Sequence, residues 1–349
     1  MQKLFQDMAR LLSEKKSLVV ATIISSDGSA PRTAGAKMAV GPDGTIYGTI
    51  GGGQLEAEAI SRAGDVFRSG KGFMYPFSLK GEDVAGMDMI CGGSGEVLLD
   101  FVDAEAAGEY GVYQAAAEVL AAGENAWLLT FLEGERNGRH SLVKADGSMI
   151  GCADGDIHSW LEMSRCNAVS LYREPHGGRR VLVEPLRRAG LVYIFGAGHV
   201  SQKLAPLCET VGFKTAVLDD RAEFADSRRF PEAAAVRLIE TFGRLPELPV
   251  DEDSYMVIVT RGHLHDEAVL AQALRTAAGY IGMIGSRRKR DKLYSSLEKK
   301  GFRPEDFARV HSPIGTDIGA ETPEEIAVSI VGELIKVRAE RRGVPRKCR

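Results

Sequence analysis

The segment that most constrains the fold is 193–201, with the sequence Tyr-Ile-Phe-Gly-Ala-Gly-His-Val-Ser. It predicts a buried strand, a glycine turn and a helix, an arrangement in which backbone N–H groups and the helix dipole face an anion. Gly196 would permit the tight turn, and Gly198 would let the backbone approach a phosphate. Ser201 is small enough to pack between helix and strand. The segment therefore predicts a phosphate-bearing ligand.

An acidic residue follows at the distance that such a ligand requires. Residues 215–220 predict the next strand, and Asp219 lies at its carboxyl end. The separation from Gly196 is close to the roughly 20 residues at which a carboxylate can accept the ribose 2′-OH of a dinucleotide. The alternative, in which the glycines serve only close packing in an α/β domain, remains open.

The length and the polar segments of the chain predict two domains. A chain of 349 residues exceeds the size at which single cores usually stop growing. Polar segments at 175–180 and 187–190 place the boundary near residue 188. We expect residues 1–188 to form a mixed α/β domain with hairpins. Residues 189–349 are expected to form a Rossmann-like, doubly wound parallel sheet.

Charge and cysteine usage limit the partners and the compartment. The 44 basic and 48 acidic residues give a formal net charge of −4, which favours neither nucleic acid nor a membrane surface as partner. The five cysteines lack a CxxC pair, which indicates reduced thiols rather than a disulfide framework. No apolar run approaches the ~20 residues of a bilayer span. We therefore expect a cytoplasmic protein.

Hydrophobic periodicity predicts the elements of both domains. The N-terminal strands are predicted at 17–24, 37–40, 45–50, 73–79, 96–102, 126–131 and 181–183. Helices are predicted at the N-terminus, after Gly53 and around 114–120. In the second domain, strands near Val192, Thr215, Met256 and Tyr280 alternate with helices.

Two histidines and an acid follow the strand at 255–260. His263, His265 and Asp266 should face the same cleft as His199, because loops at the carboxyl ends of parallel strands form the ligand crevice. Such imidazoles could move protons or hold a ligand oxygen. Alternatively, Asp266 caps the next helix. A His-x-His pair with one acid does not define a zinc site, so no metal is predicted.

A basic segment follows the strand at 280–285. Ser286 and Arg287, at the start of a predicted helix, suit the capture of a phosphate. The alternative is a basic, solvated helix face with Ser286 as N-cap. Further on, Thr322-Pro323-Glu324-Glu325 predicts a capping box at the start of the last helix.

The N-terminal half holds two more glycine segments. Gly51, Gly52 and Gly53 open a helix and form a second candidate anion site, with Glu56 close to its mouth. A strained turn without a ligand is the alternative. Cys91 lies in a glycine-flanked loop, where it could act as a nucleophile, persulfide carrier or soft ligand, or be inert and buried.

These motifs together resemble the xanthine dehydrogenase accessory factor (XdhC/CoxI) family. The resemblance is carried by Gly-Gly-Gly-Gln-Leu-Glu at 51–56, Cys-Gly-Gly at 91–93, Phe-Gly-Ala-Gly-His-Val at 195–200, Thr-Arg-Gly-His-Leu-His-Asp at 260–266, Ile-Gly-Ser-Arg-Arg-Lys at 284–289 and Asp-Ile-Gly-Ala-Glu-Thr-Pro-Glu-Glu-Ile-Ala at 317–327. It implies a family-specific N-terminal domain, a C-terminal Rossmann domain and a homodimer.

The resemblance also implies a function. Such a protein would bind the molybdenum cofactor, assist its sulfuration with a cysteine desulfurase, and deliver it to an apo molybdenum hydroxylase. Members of the family commonly carry a cysteine directly after the triple glycine, where this chain has Gln54. An amide cannot act as a thiolate, so sulfur chemistry would have to depend on Cys91 or be absent.

Two functions from different classes therefore remain. The first is an accessory protein that binds molybdopterin as cargo, since molybdopterin is an anionic, phosphate-bearing heterocycle. The second is an NAD(P)-dependent oxidoreductase in which Asp219 holds the ribose and a histidine donates a proton. A nucleotide bound only as a regulatory signal is a third alternative. The sequence lacks a substrate-pocket signature for hydride transfer, which favours the accessory role.

Overall fold

A computed structural model of the chain describes residues 1–28, 30, 32–78, 93–133, 138–151, 168–173, 180–187 and 190–341. The chain divides into two compact units, one within residues 1–188 and the other within 189–342. None of the helices in these described ranges combines the length and the apolar composition that a membrane span needs.

The first unit contains two antiparallel sheets. Within its described residues, the first sheet has the strand order β3-β2-β1-β5-β4. Its strands are β1 (Leu18–Asp27), β2 (Lys37–Val40), β3 (Ile46–Gly48), β4 (Phe73–Ser78) and β5 (Ser94–Val102). Each coincides with a predicted strand to within a few residues, because the apolar residues there alternate or run together over the length of a strand.

The second sheet has the order β8-β7-β6-β10-β9 in the described part of the unit. Its strands are β6 (Ala126–Phe131), β7 (Arg139–Lys144), β8 (Met149–Gly151), β9 (Ser170–Arg173) and β10 (Arg180–Leu186). β6 and β10 were predicted, whereas β7, β8 and β9 were not. β7 and β9 carry polar or charged residues, and β8 has only three residues, so the hydrophobic signal of each is weak.

Three helices pack against these sheets in the described part of the unit: α1 (Gln2–Ser13), α2 (Gly53–Ser69) and α3 (Glu109–Ala122). α1 and α3 share a core with one face of the first sheet and with residues of the second sheet. α2 covers the opposite face of the first sheet, where Leu55 and Val66 are buried.

The second unit is a doubly wound parallel sheet, as predicted. Within residues 190–341 its strands are β11 (Leu191–Phe195), β12 (Lys214–Asp219), β13 (Ala235–Leu238), β14 (Ser254–Ile258), β15 (Tyr280–Met283) and β16 (Val310–His311). They pair in parallel in the order β13-β12-β11-β14-β15-β16. This is the Rossmann order, and the chain reverses direction across the sheet between β11 and β14.

Helices cover both faces of this sheet: α4 (His199–Thr210), α5 (His263–Ala273), α6 (Arg287–Glu298) and α7 (Pro323–Arg341). α4 and α7 share one core, and α5 and α6 share the other. The predicted capping box is present, because Glu325 accepts from the backbone N–H of Thr322 at 3.0 Å while Thr322 accepts from that of Glu325 at 3.3 Å.

Candidate functional site

The glycine turn between β11 and α4 lies at the reversal point of the sheet. Gly196 has a φ of +105°, and a Cβ built there would lie 2.5 Å from the carbonyl oxygen of Val259 on the neighbouring strand segment. Its N–H donates to the carbonyl of Leu218 at 2.8 Å. Backbone conformation and close packing each require glycine at this position.

Gly198 is different, because the fold does not require it to be glycine. Its φ is −75°, and apart from its chain neighbours no atom of the described residues lies within 4 Å of a Cβ built there. Gly198 is the N-cap of α4, and no side chain in the described residues caps this helix. The first N–H groups of α4 therefore lack a side-chain cap, and the space beside Gly198 is open, an arrangement that suits an anion site.

Two residues after Gly198, Ser201 and His199, were singled out from the sequence, and they lie in different environments. Ser201 is fully buried, and its hydroxyl donates to the carbonyl of Gly196. It thus joins the first turn of α4 to the glycine turn. His199, the first residue of α4, is exposed.

Asp219 lies at the end of β12, where the sequence predicts an acid, but its oxygens are engaged by the chain itself. The carboxylate accepts from the N–H of Ala197 at 2.7 Å and from the guanidinium and the N–H of Arg221 at 2.9 to 3.0 Å. Burial alone would raise the pKa of Asp219, but these hydrogen bonds hold it below its usual value. A ribose hydroxyl would have to displace one of these donors.

A second ion pair spans the same edge of the sheet. Arg261, in the loop after β14, forms a forked contact with Asp220, with one arm of 3.0 Å, and lies 3.9 Å from Asp219. Because β11 lies between β12 and β14, this pair crosses the carboxyl end of the strand that carries Gly196. The sequence interpretation did not single out Arg221 or Arg261.

The start of α5 is organised around a buried carboxylate. Gly262, rather than Asp266, is the N-cap of α5, so the capping alternative for Asp266 is wrong. Asp266 is fully buried within the first turn, where it accepts from the Thr260 hydroxyl at 2.6 Å and pairs with the ammonium of Lys289. It anchors the α5 start to α6.

The side chains of His263 and His265, both in the first turn of α5, lie in different environments. His263 lines a cleft between α5 and α6. His265 does not line this cleft, and its ring packs against Phe242 with centroids 5.3 Å apart. Residues two apart on a helix do not share a face. The prediction that both imidazoles face one cleft is therefore wrong, because only His263 does so.

The cleft between α5 and α6 has a volume of about 700 Å³. It is lined by His263, Glu267, Ser286, Arg288, Lys289, Lys292 and Leu293. Ser286 also caps α6, because its hydroxyl accepts from the N–H of Lys289 at 3.2 Å. Arg287 is exposed and does not line the cleft. The sequence interpretation favoured Arg287 over Arg288 and did not single out Lys292, although the spacing of four residues between Arg288 and Lys292 indicates one helix face.

The glycine turn of the first unit already holds an anion, the carboxylate of Glu56. One oxygen of Glu56 accepts from the N–H groups of Ile50, Gly51 and Gly52 at 3.0, 3.2 and 2.8 Å, and also from the hydroxyl of Thr49. Burial alone would raise the pKa of Glu56, but these hydrogen bonds lower it. An external anion would have to compete with this carboxylate.

The structure describes some of the remaining candidate residues of the first unit but not all of them. Gly53 begins α2 and is exposed, as is Gln54. Cys91 lies outside the described residues. Among the described residues, no group of three His, Cys, Asp or Glu side chains could hold a metal ion.

Comparison with known families matches both parts of the chain. Residues 192–334 match the XdhC Rossmann domain, and residues 11–77 match the XdhC and CoxI family. A crystal structure described as a xanthine dehydrogenase from Bacillus halodurans superposes with a TM-score of 0.77 at 24% identity, covering 97% of this chain and 96% of that one. That likeness establishes the fold.

Three curated relatives align over most of this chain. One, a probable xanthine dehydrogenase subunit from Bacillus subtilis, is 28% identical over 94% of this chain and 95% of its own length. The molybdenum cofactor insertion chaperone PaoD of Escherichia coli is 22% identical over 94% of this chain and 85% of its own length. The uncharacterized protein YqeB of Escherichia coli is 26% identical over 96% of this chain, which spans only 46% of YqeB.

Proposed function

Because the chain belongs to the XdhC and CoxI family, we propose that it is an accessory protein in the maturation of molybdenum hydroxylases. It binds the molybdenum cofactor as cargo and delivers it to an apo hydroxylase of the xanthine dehydrogenase type. Support comes from relatives named as a molybdenum cofactor insertion chaperone and as part of a probable xanthine dehydrogenase.

The observation that carries the proposal is the open space in front of Gly198. Folding demands a glycine at Gly196 but not at Gly198, whose backbone angles suit any residue. A side chain at Gly198 would instead fill the space that the amides of α4 face. That position suits the phosphate of molybdopterin, held by N–H groups and by the helix dipole.

Assistance with sulfuration belongs to the same proposal. Cys91 is the candidate sulfur carrier, and a cysteine desulfurase is the candidate donor. Cys208 is unsuited to this role because it is fully buried within the second unit, and burial raises the pKa of its thiol to about 12. The histidines that we proposed as catalytic candidates, His263 and His265, would act separately, since only His263 lines the cleft.

The second candidate is an NAD(P)-dependent oxidoreductase, which the Rossmann strand order favours. Against it stands Asp219, whose oxygens already accept from Ala197 and Arg221. Calorimetric titration with NADH and NADPH separates the two. Micromolar binding of NADH or NADPH with turnover, and no binding of molybdopterin, would contradict the accessory function and favour the oxidoreductase.

Reconstitution of an apo hydroxylase tests the proposal directly. Purified protein loaded with molybdenum cofactor should restore activity to an apo xanthine dehydrogenase-type enzyme faster than free cofactor does. Gly198→Val should abolish that advantage. Gly332→Val is the matched control, because Gly332 is exposed on α7 and a Cβ there would lie 3.8 Å from Thr316 Oγ1. Equal rates with and without the protein would contradict delivery. The proposed homodimer can be measured by light scattering of the same samples.

A further inference from the structure

The α5/α6 cleft carries positive charge that the residues described in the structure do not neutralise. Of its cations, Lys289 pairs with the buried Asp266. The acid Glu267 pairs with Lys300 and accepts from Ser296. Arg288 and Lys292 form no ion pair within the described residues of the chain. Two positive charges are therefore left facing the cleft.

The groups of the cleft are arranged to converge on one ligand. Arg288 and Lys292 are four residues apart on α6 and both line the cleft. Lys289 is held in place by Asp266, which is itself fixed by the hydroxyl of Thr260 at 2.6 Å. Asp266 thus acts as a positioning residue. The imidazole of His263 and the hydroxyl of Ser286 complete the lining.

We propose that this cleft binds a phosphate monoester. A phosphate monoester carries a charge of roughly −1.5 to −2 at pH 7, which matches the two uncompensated cations. The Arg288 guanidinium can donate two parallel hydrogen bonds to phosphate oxygens, and the Lys292 ammonium contributes a point charge. The site lies beyond the ends of β14 and β15, and none of residues 196–201 lines it.

The test compares AMP with adenosine, which differ only in the phosphate. Isothermal titration at low ionic strength should show binding of AMP and not of adenosine. Arg288→Ala and Lys292→Ala should each weaken AMP binding about tenfold, the loss expected for one charged hydrogen bond. Arg287→Ala and Lys299→Ala are matched controls, because both residues are exposed, one at each end of α6, and neither lines the cleft. Both controls should bind AMP as the unaltered protein does.

A second readout locates the phosphate within the chain. AMP should shift the NMR resonances of the His263 ring, which lines the cleft, and leave those of the His265 ring, which packs on Phe242. The proposal is overturned if Arg287→Ala weakens binding as much as Arg288→Ala, or if adenosine binds as well as AMP. It is also overturned if Gly198→Val removes AMP binding while Arg288→Ala does not, since the phosphate would then lie at the glycine turn.

A final comparison identifies the source of the phosphate. Molybdopterin should be titrated before and after a phosphatase removes its phosphate. A phosphate-dependent loss of affinity that requires Arg288 and not Gly198 assigns the phosphate of molybdopterin to the cleft in place of the glycine turn, whereas Arg288-dependent binding of AMP alone assigns the cleft to a nucleotide. Absence of both contradicts the site. Delivery of the cofactor to an apo hydroxylase is measured separately, so either idea can fail without the other.

Discussion

The carboxylate of Asp219 accepts a hydrogen bond from the backbone N–H of Ala197, with the two atoms 2.7 Å apart. This contact joins the end of β12 to the middle of the glycine turn after β11. Arg221 holds the same carboxylate through its side chain. The acid that a Rossmann pattern assigns to a ribose therefore supports the glycine turn itself.

Removal of the Asp219 carboxylate should destabilise the second unit. Asp219→Ala leaves a buried amide and Arg221 without their partner, which costs about 3 kcal/mol for a buried pair. Urea denaturation measures the loss. Asp226→Ala is the matched control, because Asp226 makes the same contacts to Arg228 two residues later but at the surface, with the Arg228 side chain 89% exposed. Equal losses in both variants would contradict the structural role of Asp219.

The two glycines of the turn should respond differently to alanine. Gly196→Ala should strongly lower the thermal midpoint, because its Cβ would lie 2.5 Å from the Val259 carbonyl at a φ of +105°. Gly198→Ala should leave the midpoint within about 2 °C, since the position is open and its φ is −75°. A large loss of stability in Gly198→Ala would mean that the fold, rather than a ligand, requires this glycine.

Glu56 should behave as a built-in anion of the first unit. Glu56→Ala should cost about 2 kcal/mol, because a charged acceptor is lost from the N–H groups of Ile50, Gly51 and Gly52. The vacated amides should then accept sulfate, so millimolar sulfate should raise the melting temperature of the variant more than that of the unaltered protein. If sulfate or molybdopterin phosphate binds this turn with Glu56 intact, the carboxylate is displaceable and the turn is a ligand site.

The first unit should lose stability in alkali through His140. Its ring contacts Asp100 and Glu109, each at 2.7 Å. Burial alone would lower the pKa of His140, but these two carboxylates raise it to about 10. Because this value lies above the unfolded value of about 6.5, the stabilisation is complete below pH 6.5 and is lost as pH rises toward 10.

The expected loss across that range is on the order of 5 kcal/mol. Denaturation at a series of pH values measures it, and NMR titration of the His140 ring identifies its source. A ring that titrates near pH 6.5 would contradict the paired, charged imidazole. Loss of stability at high pH with His140 still protonated would assign the effect to another group.

The sequence predicted the second unit better than the first. β11, β12, β14 and β15 are apolar strands that alternate with helices, so their period and order indicate a parallel sheet. β13 carries Arg237 and is only partly buried, so its apolar signal is weak, and β16 has two residues, too few to show a period. In the first unit, β7 alternates poorly because it carries His140, whose charge is neutralised by residues distant in sequence.

The sequence predicted where the residues of the candidate site lie, but not which groups they contact. Motifs and strand order predict the glycine turn and the position of Asp219. They also predict where α4, α5 and α6 begin. A motif does not show which donors a carboxylate accepts hydrogen bonds from. Only the structure shows that Asp219 accepts from Arg221 and that Glu56 accepts from the N–H of Gly52. The same reason explains why Arg287 was favoured over Arg288, since only the facing of α6 against α5 separates them.

Equilibrium binding of molybdenum cofactor to Gly198→Val tests the central claim most directly. We expect the unaltered protein and the exposed-surface control Gly332→Val to bind the cofactor equally, and Gly198→Val to retain its melting temperature but to bind at least a hundredfold more weakly. Unchanged affinity in a folded Gly198→Val protein would contradict the claim that the amides at the start of α4 receive the anionic group of the cargo.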